Sequence, residues 1–556
     1  MMKVKTTILI IFALMGVFDT FCQNHKYLFL LKDKQNSLFT SQKPLEFLSP
    51  RAVERRKKQR IKITEQDFPV NPNYIKDIQN QGATIWYSSR WINGVMAECD
   101  SATAQKIISL PFVKGIELNT YLESPKDKGI VSDTPPIAIS FLQFPSTPNA
   151  DTIKYGDSKN QLEMLGIDKL HQKGYRGEGM LIAVLDDGFK NADRVPYLKS
   201  IFEEKRILAT YNFVKKKSQV YEDGGHGTSV LSCIATDVNG KLYGSAYKST
   251  FVLLKTEKLE DESVQEEANI LFALEYADSL GVDVVNISLG YDIMDNPLTS
   301  YSQAKRNGFT SLSARAVNWA STKGMIAVVA AGNSGQTSDK LIMTPADADS
   351  ALTVGGVDAV KNIYTKSSIG PRIDGITKPD LMAKGVATVL GGLLGNIATG
   401  SGTSYASPLM AGLVAIFWQQ NPTFTAAQIK NALKKSGDKY LNPSSQFGFG
   451  IPSPDSALKF LVPLPPEILG LENRNNLKLN ISPNPFDNFT LPKLDFVSNK
   501  KNCLAIIYNS KGEIVWRNIV QNNNDILKLE NLSAGQYVLK ITDGSSFGIK
   551  KITKIN

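Results

Sequence analysis

Three histidines and four cysteines in 556 residues narrow the chemistry before any motif is read. The cysteines are Cys22, Cys99, Cys233 and Cys503, one to each region of the chain, so no disulfide can form within a single domain. There is no EF-hand-like run, so no ligands can be named for calcium, and no cofactor is required by the residues found. No zinc-knuckle or RNP-like pattern accompanies the net charge of +10; that balance reads as a basic soluble surface and excludes nucleic acid as the expected partner. Beyond the N-terminus no segment is apolar enough to cross a membrane.

What is present divides into six parts. Lys3 and Lys5 precede a short apolar run from Ile8 to Phe18, the layout of a secretory signal over 1–23. Asp19-Thr20-Phe21 is a poor lipobox for Cys22, so ordinary cleavage near Gln23 is expected. Residues 24–120 read as a small α+β unit. Strands are expected at Tyr27–Leu31, Thr84–Ser88, Gly94–Glu98 and Val113–Leu118, with helices over the charged stretch Glu54–Arg60 and over Ala102–Leu110. That β-α-β-β-α-β order is ferredoxin-like. Residues 121–155, with Pro135-Pro136 and Pro145-Ser146-Thr147-Pro148, read as an exposed linker.

Over 156–461, buried-strand runs alternate with helices. The runs are Leu181–Leu185, Phe251–Lys255, Val282–Ile287, Met325–Ala331 and Ala351–Val357, and the helices lie near Ser263–Leu280 and Leu312–Thr322. This predicts an α/β fold, a doubly wound and mostly parallel sheet that binds ligands at the carboxyl ends of its strands. Val462-Pro463-Leu464-Pro465-Pro466 opens a spacer over 462–475. Residues 476–556 carry alternating strands at Leu504–Tyr508, Ile514–Arg517, Asp525–Leu529 and Tyr537–Ile541, suggesting a small β-sandwich.

Four segments of the α/β region carry chemistry: Leu185-Asp186-Asp187-Gly188, Gly225-His226-Gly227-Thr228, Ala331-Gly332-Asn333-Ser334-Gly335 and Gly402-Thr403-Ser404-Tyr405-Ala406-Ser407-Pro408. A serine hydroxyl needs a base to take its proton, an imidazole serves as that base, and a buried carboxylate fixes its tautomer. An amide side chain can donate to the oxyanion that forms. His25 lies at the signal junction and His171 before the first strand, which leaves His226 as the base. Asp186 closes its strand and is preferred over Asp187, which is expected in a turn. Ser404 should sit at a helix N-terminus with Pro408 in its first turn. Cys233 is expected as a small buried hydrophobe.

The order Asp, His, Ser and these motifs resemble the subtilisin-like serine proteases over residues 156–460. Tyr175-Arg176-Gly177-Glu178-Gly179, Val285-Asn286-Ile287-Ser288-Leu289-Gly290, Ser367–Pro371 and Lys378-Pro379-Asp380-Leu381 extend the match. The resemblance implies a secreted serine endopeptidase with Asp186, His226 and Ser404 as triad and Asn333 as oxyanion donor. The substrate chain would lie as an added strand beside Ser288, Leu289 and Gly290, with Ala331 and Gly332 bordering the pocket. Tyr405 stands where many members have methionine. An acyl transferase or peptide cyclase shares the acyl-enzyme and is the alternative, as is a non-catalytic surface binding protein; hydrolysed against joined product ends separate the first two. Residues 24–120 resemble the family's prodomain, implying a folding template and inhibitor. Ser482-Pro483-Asn484-Pro485-Phe486, Leu532–Ile541 and Lys550-Lys551 resemble the C-terminal sorting domain of type IX secretion, implying that machinery as a partner and an extracellular or cell-surface location. Calcium is common in the family.

Activation by a cut in the linker is expected to give a mature N-terminus within 121–155. N-terminal sequencing of the secreted protein checks this, and a first residue before 100 would overturn it.

Overall fold

Seven runs rich in valine, isoleucine, leucine and alanine build the central sheet. Its strands lie in the order Leu381–Lys384, Leu352–Val357, Ile326–Ala330, Val284–Ile287, Leu181–Asp186, Thr250–Lys255 and Ile207–Asn212. All neighbours pair in parallel. The computed structural model describes residues 23–123 and 153–461 and, in the C-terminal region, 479–487, 490–496, 502–509, 514–521, 526–527, 529–530, 532–543 and 547–555. The signal run with Cys22, the linker stretch 124–152 and the spacer 462–475 lie outside these residues.

Alternate residues of each central strand serve opposite cores, as the pleat requires. Ile182, Val184, Val328 and Val354 face one core with the helices His226–Ala235 and Thr403–Gln420. Ala183, Leu185, Val285 and Val329 face the other with Val264–Leu280 and Leu312–Thr322. Because both faces are covered, the strands read as continuous apolar runs. Ile207–Asn212 and Leu381–Lys384 were not expected. They are the two edges of the sheet; the first is only half-buried and the second only four residues long, so neither carries the apolar signature of a central strand.

The Lys378–Leu381 landmark fastens the second edge. Lys378 is buried, and its Nζ donates to the Ala351 carbonyl at 2.9 Å, to Thr353 Oγ1 at 2.9 Å and to Asp380 Oδ2 at 2.7 Å. Lys434 Nζ reaches Asp380 Oδ1 at 2.7 Å.

The N-terminal unit has four antiparallel strands in the order Thr84–Ser89, Gly94–Cys99, His25–Leu31 and Val113–Ile116. Helices Pro72–Asn80 and Ser101–Ile108 cover one face around Phe29, Ile78, Val95, Ala104 and Ile107. This is the ferredoxin-like arrangement, with one correction. The charged stretch forms a helix, Pro50–Lys58, but it is not the one packed on this sheet. Its buried residues are Ala52, Arg55 and Arg56; both arginines pair with Asp278 of the α/β region, and Arg56 also pairs with Asp67 of its own unit. Pro72–Asn80 takes the expected place, started by Asn71, whose side chain accepts from the Asn73 N–H.

The C-terminal unit, Val462–Asn556, is separate from Met1–Leu461. Its larger sheet runs Ile514–Gln521, Asn502–Tyr508, Gly535–Thr542 and Phe547–Lys554; Leu479–Ser482 pairs with Lys493–Phe496. One core joins both sheets through Phe486, Leu494, Phe496, Ile507, Leu539 and Ile552, giving the small sandwich. The strand expected at Asp525–Leu529 is instead an isolated bridge at Ile526, with Leu527 and Leu529 buried; Asp525 and Lys528 lie outside the described residues. Cys99, Cys233 and Cys503 are each buried, and no disulfide joins them among the described residues.

Asp380→Ala should lower stability by about 3–5 kcal/mol, because it strands the buried Lys378 charge. Burial alone would raise the Asp380 carboxyl, but Lys378 and Lys434 hold it below the carboxylate range. Its stabilisation is therefore present above the unfolded value of 3.8 and is lost as pH falls. Thermal unfolding from pH 7 down to pH 3 should show the variant's deficit shrinking with acid. A deficit that stays constant would refute this.

Candidate active site

Asp186 ends its strand, and the strand's direction delivers it to the carboxyl edge of the sheet. It is fully buried. Its Oδ1 meets His226 Nδ1 at 2.7 Å and accepts the Asp187 N–H at 2.9 Å. His226 is the first residue of the helix His226–Ala235, which must come close to the Asp186 loop. A Cβ on Gly227 would stand 2.3 Å from the Gly188 carbonyl oxygen, and one on Gly224 (φ +68°) 2.0 Å from that of Asp187. Only glycine permits that approach.

Asp187 does more than turn the chain. Its carboxylate accepts the Gly227 N–H at 3.1 Å and the His226 N–H at 3.5 Å, so it caps the helix that carries the imidazole. Burial, then the Asp186 charge, push its carboxyl up to about 6. Burial alone would depress the imidazole of His226; Asp186, with Asp187 and Glu257 behind it, raises it to about 9 instead. His171 is the opposite case. It is fully buried, placed between the Tyr155 hydroxyl (3.3 Å) and the Ser245 carbonyl (3.1 Å), and desolvation drives it down to about 4. Cys233 is buried about two turns beyond His226 on the same helix, its thiol pushed up to about 12 by burial.

Ser404 is the second residue of the helix Thr403–Gln420. Pro408 lies in the second turn, not the first as the sequence suggested. Proline has no N–H, so the Ser404 carbonyl loses its helical donor. Ser288 Oγ takes that role at 2.9 Å. Behind it, Asn286 Nδ2 donates to Ser288 Oγ at 3.0 Å and Ser407 Oγ donates to Asn286 Oδ1 at 2.7 Å. The helix start is thus tied to the strand Val284–Ile287 by a buried polar chain. Asn286 and Ser407 were missed as positioning groups; the signal was a buried asparagine interrupting an apolar strand. The ring of Tyr405, next after Ser404, stands 5.6 Å from that of His226. Ser404 Oγ itself has no hydrogen-bond partner among the described residues, and such contacts often tighten only with substrate bound.

Asn333 follows its strand at the same edge. Its Oδ1 accepts the Thr403 N–H at 3.0 Å and the Thr403 hydroxyl at 3.2 Å. With the oxygen so engaged, the amide nitrogen is left as the free donor. Thr403, whose hydroxyl also donates to the Gly332 carbonyl at 3.1 Å, was not singled out from sequence. A cavity of about 280 Å³ opens here, lined by Ser288, Leu289, Gly290, Gly332, Asn333 and Ser404, with Met343 among its further walls. Ala331 does not line it. That residue is fully buried, its N–H donating to Val354 and its carbonyl accepting from Met343, so Ala330 takes its place.

Glu257, Glu262 and Glu266 form a second acidic group, with oxygens within 4.8 Å of one another, close enough to share one cation. Tyr291 donates its hydroxyl to Glu257 at 2.5 Å. Burial pushes Glu257 up to about 8 and Glu266 well above the carboxylate range.

With so few histidines the ring protons can be followed one by one. His226 should titrate near 9 and His171 only near 4, and Asp186→Asn should lower the His226 midpoint. Proton NMR across pH 3–10 checks this; a His226 midpoint near 6.5 in the unaltered protein would refute it.

Three family models match the chain: "Subtilase family" over 177–450, "Peptidase S8 propeptide domain, Bacteroidota" over 26–132 and "Secretion system C-terminal sorting domain" over 480–555. Subtilisin DY of Bacillus licheniformis is 29% identical over 55% of this chain and 99% of its own length. Subtilisin of Bacillus pumilus is 29% identical over 54% of this chain and 97% of its own, and subtilisin NAT of Bacillus subtilis subsp. natto 29% over 54% and 70%. With the all-parallel sheet and the groups gathered at its carboxyl edge, these matches show that the chain belongs to the subtilase family, as a serine endopeptidase made with its own propeptide and exported across the outer membrane by a type IX sorting domain.

Proposed function

We propose that Ser404 is the nucleophile, His226 the general base, Asp186 its orienting carboxylate and Asn333 the oxyanion donor in peptide-bond hydrolysis through an acyl-enzyme. The observation that carries this is the 2.7 Å Asp186–His226 bond, on a helix start whose imidazole faces the residue after Ser404. Ser404 attacks the carbonyl as His226 Nε2 takes its proton. The Asn333 amide and the Ser404 N–H at the helix N-terminus hold the oxyanion. His226 then protonates the leaving amine, and water repeats the cycle. The Asp186 carboxylate stabilises the imidazolium that forms as the oxyanion appears. The reaction as written uses no cofactor.

The substrate is a protein or peptide lying extended beside Ser288–Gly290, its side chain before the cut entering the cavity that Gly332 borders. Residues 24–120 act as the inhibitory prodomain, 121–155 as the segment cut on activation, 156–461 as the peptidase and 476–556 as the passenger's address for type IX secretion.

Ser404→Ala should abolish both casein hydrolysis and labelling by a fluorophosphonate probe; equal labelling of the variant would remove Ser404 from the role. Asn333→Ala should lower kcat by about 10²–10³ with little change in KM. Thr403→Val should lower kcat in the same sense but less, since the amide stays while its anchor goes. A loss confined to KM in either variant would count against the oxyanion assignment.

A further inference from the structure

The N-terminal unit holds the α/β domain through two of its parts, which meet at Asp278, where Arg90 of the first joins Arg55 and Arg56 of the second. At the first, its sheet lies on the helix Val264–Leu280. Glu275 there accepts the Arg90 N–H at 2.9 Å, the Trp91 N–H at 3.1 Å and the Ser89 hydroxyl. The second is the helix Pro50–Lys58, which packs on no other part of its own unit's core. It runs to the amino ends of three central strands, Leu181–Asp186, Val284–Ile287 and Ile326–Ala330. Those ends lie one strand length, about 20 Å, from the edge that bears Asp186 and Asn333.

Contacts at this second place are dense. The Ser49 N–H donates to the Ser279 carbonyl at 2.9 Å. Arg51 donates to the carbonyls of Gly281 (3.0 Å) and Gly179 (2.9 Å) and pairs with Asp283. Arg55 pairs with Asp278 and donates to the Val282 carbonyl. Gln59 donates to the Gly324 carbonyl at 2.7 Å and accepts the Ala426 N–H at 2.9 Å. A Cβ on Gly281 (φ +87°) would stand 2.7 Å from the Ala52 nitrogen, so the two backbones meet without a side chain between them. Asp278 is fully buried and bears three guanidinium groups, those of Arg55, Arg56 and Arg90. Removing all three at once would leave a buried carboxylate without counter-charge, which slows departure.

We infer that residues 49–61 are an anchor independent of the active site, and that the groove formed by Gly179, Asp278–Asp283, Gly324 and Ala426 is its receptor. The N-terminal unit then stays bound after the linker is cut, and peptidase activity appears only when this anchor releases. The inference rests on the reading of residues 24–120 as an inhibitory prodomain.

Arg51→Ala with Gln59→Ala tests it. Both side chains reach only across to the α/β domain, so neither change disturbs the ferredoxin-like core or the Asp278 site. The full chain carries a recognition site for an unrelated, specific protease within 124–152, in a Ser404→Ala background that prevents self-digestion. After the cut, the N-terminal fragment should co-elute with the remainder on gel filtration and leave with a slow rate. The double variant should release it at least tenfold faster, since interface changes act mainly on dissociation. Equal release rates, or immediate release in both, would overturn the anchor. Hydrogen exchange of the cut protein without the anchor substitutions gives a second reading that needs no variant to fold. The Ala426 N–H should stay protected while the fragment is bound and exchange freely once it has left; free exchange while the fragment still co-elutes would overturn the proposal. Full casein hydrolysis by the uncut chain with Ser404 intact would sink the prodomain reading itself, a different failure from rapid release.

Discussion

Two loops must pass at a distance that no side chain tolerates before the Asp186–His226 hydrogen bond can form. Gly188 and Gly227 meet backbone to backbone, as do Asp187 and Gly224, and the helix start is thereby set against the strand end. The imidazole orientation, the capping by Asp187 and the electrostatic pressure from two neighbouring carboxylates all follow from that approach. The Ser404 side of the groove has its own fixture: a proline removes one donor from a helix, and a serine from the adjacent strand restores it. Both devices satisfy backbone polar groups in buried surroundings, where an unpaired group is costly.

Much of this was legible in the sequence because the informative signals are local. Asp186 at the end of an apolar run, His226 among glycines and Ser404 before a long apolar helix each announce a place on a parallel sheet. The central strands could be read because burial on both faces makes them continuous. What escaped is what depends on partners far away in sequence. Ile207–Asn212 looks polar because it is an edge. Arg55 and Arg56 look like a solvated helix face, yet they are buried by Asp278, more than two hundred residues later. Ala331 was placed in the pocket by motif spacing, but strand register turns it inward and offers Ala330 and Gly332 instead. Thr403 was invisible as a positioning group until Asn333 was seen to need its oxygen held.

The N-terminal unit follows two logics at once. Its sheet and two helices close a small apolar core of their own, while Pro50–Lys58 contributes almost nothing to that core. Arg55 and Arg56 are balanced by Asp278 of the α/β domain, with Asp67 of the unit itself also pairing Arg56, and the carbonyls the helix satisfies belong to the loops that lead into central strands. A helix with this composition is poorly stabilised by itself. Its order and that of the strand starts beneath it depend on each other.

The parallel sheet has one more consequence, which concerns time. Acid and base arrive early in the chain, but the hydroxyl and the helix that presents it come near the end of the domain, after every strand between them has been made. On the roles proposed above, a growing polypeptide that has emerged only as far as His226 has no nucleophile to present, and the unit proposed as its inhibitor has by then emerged in full.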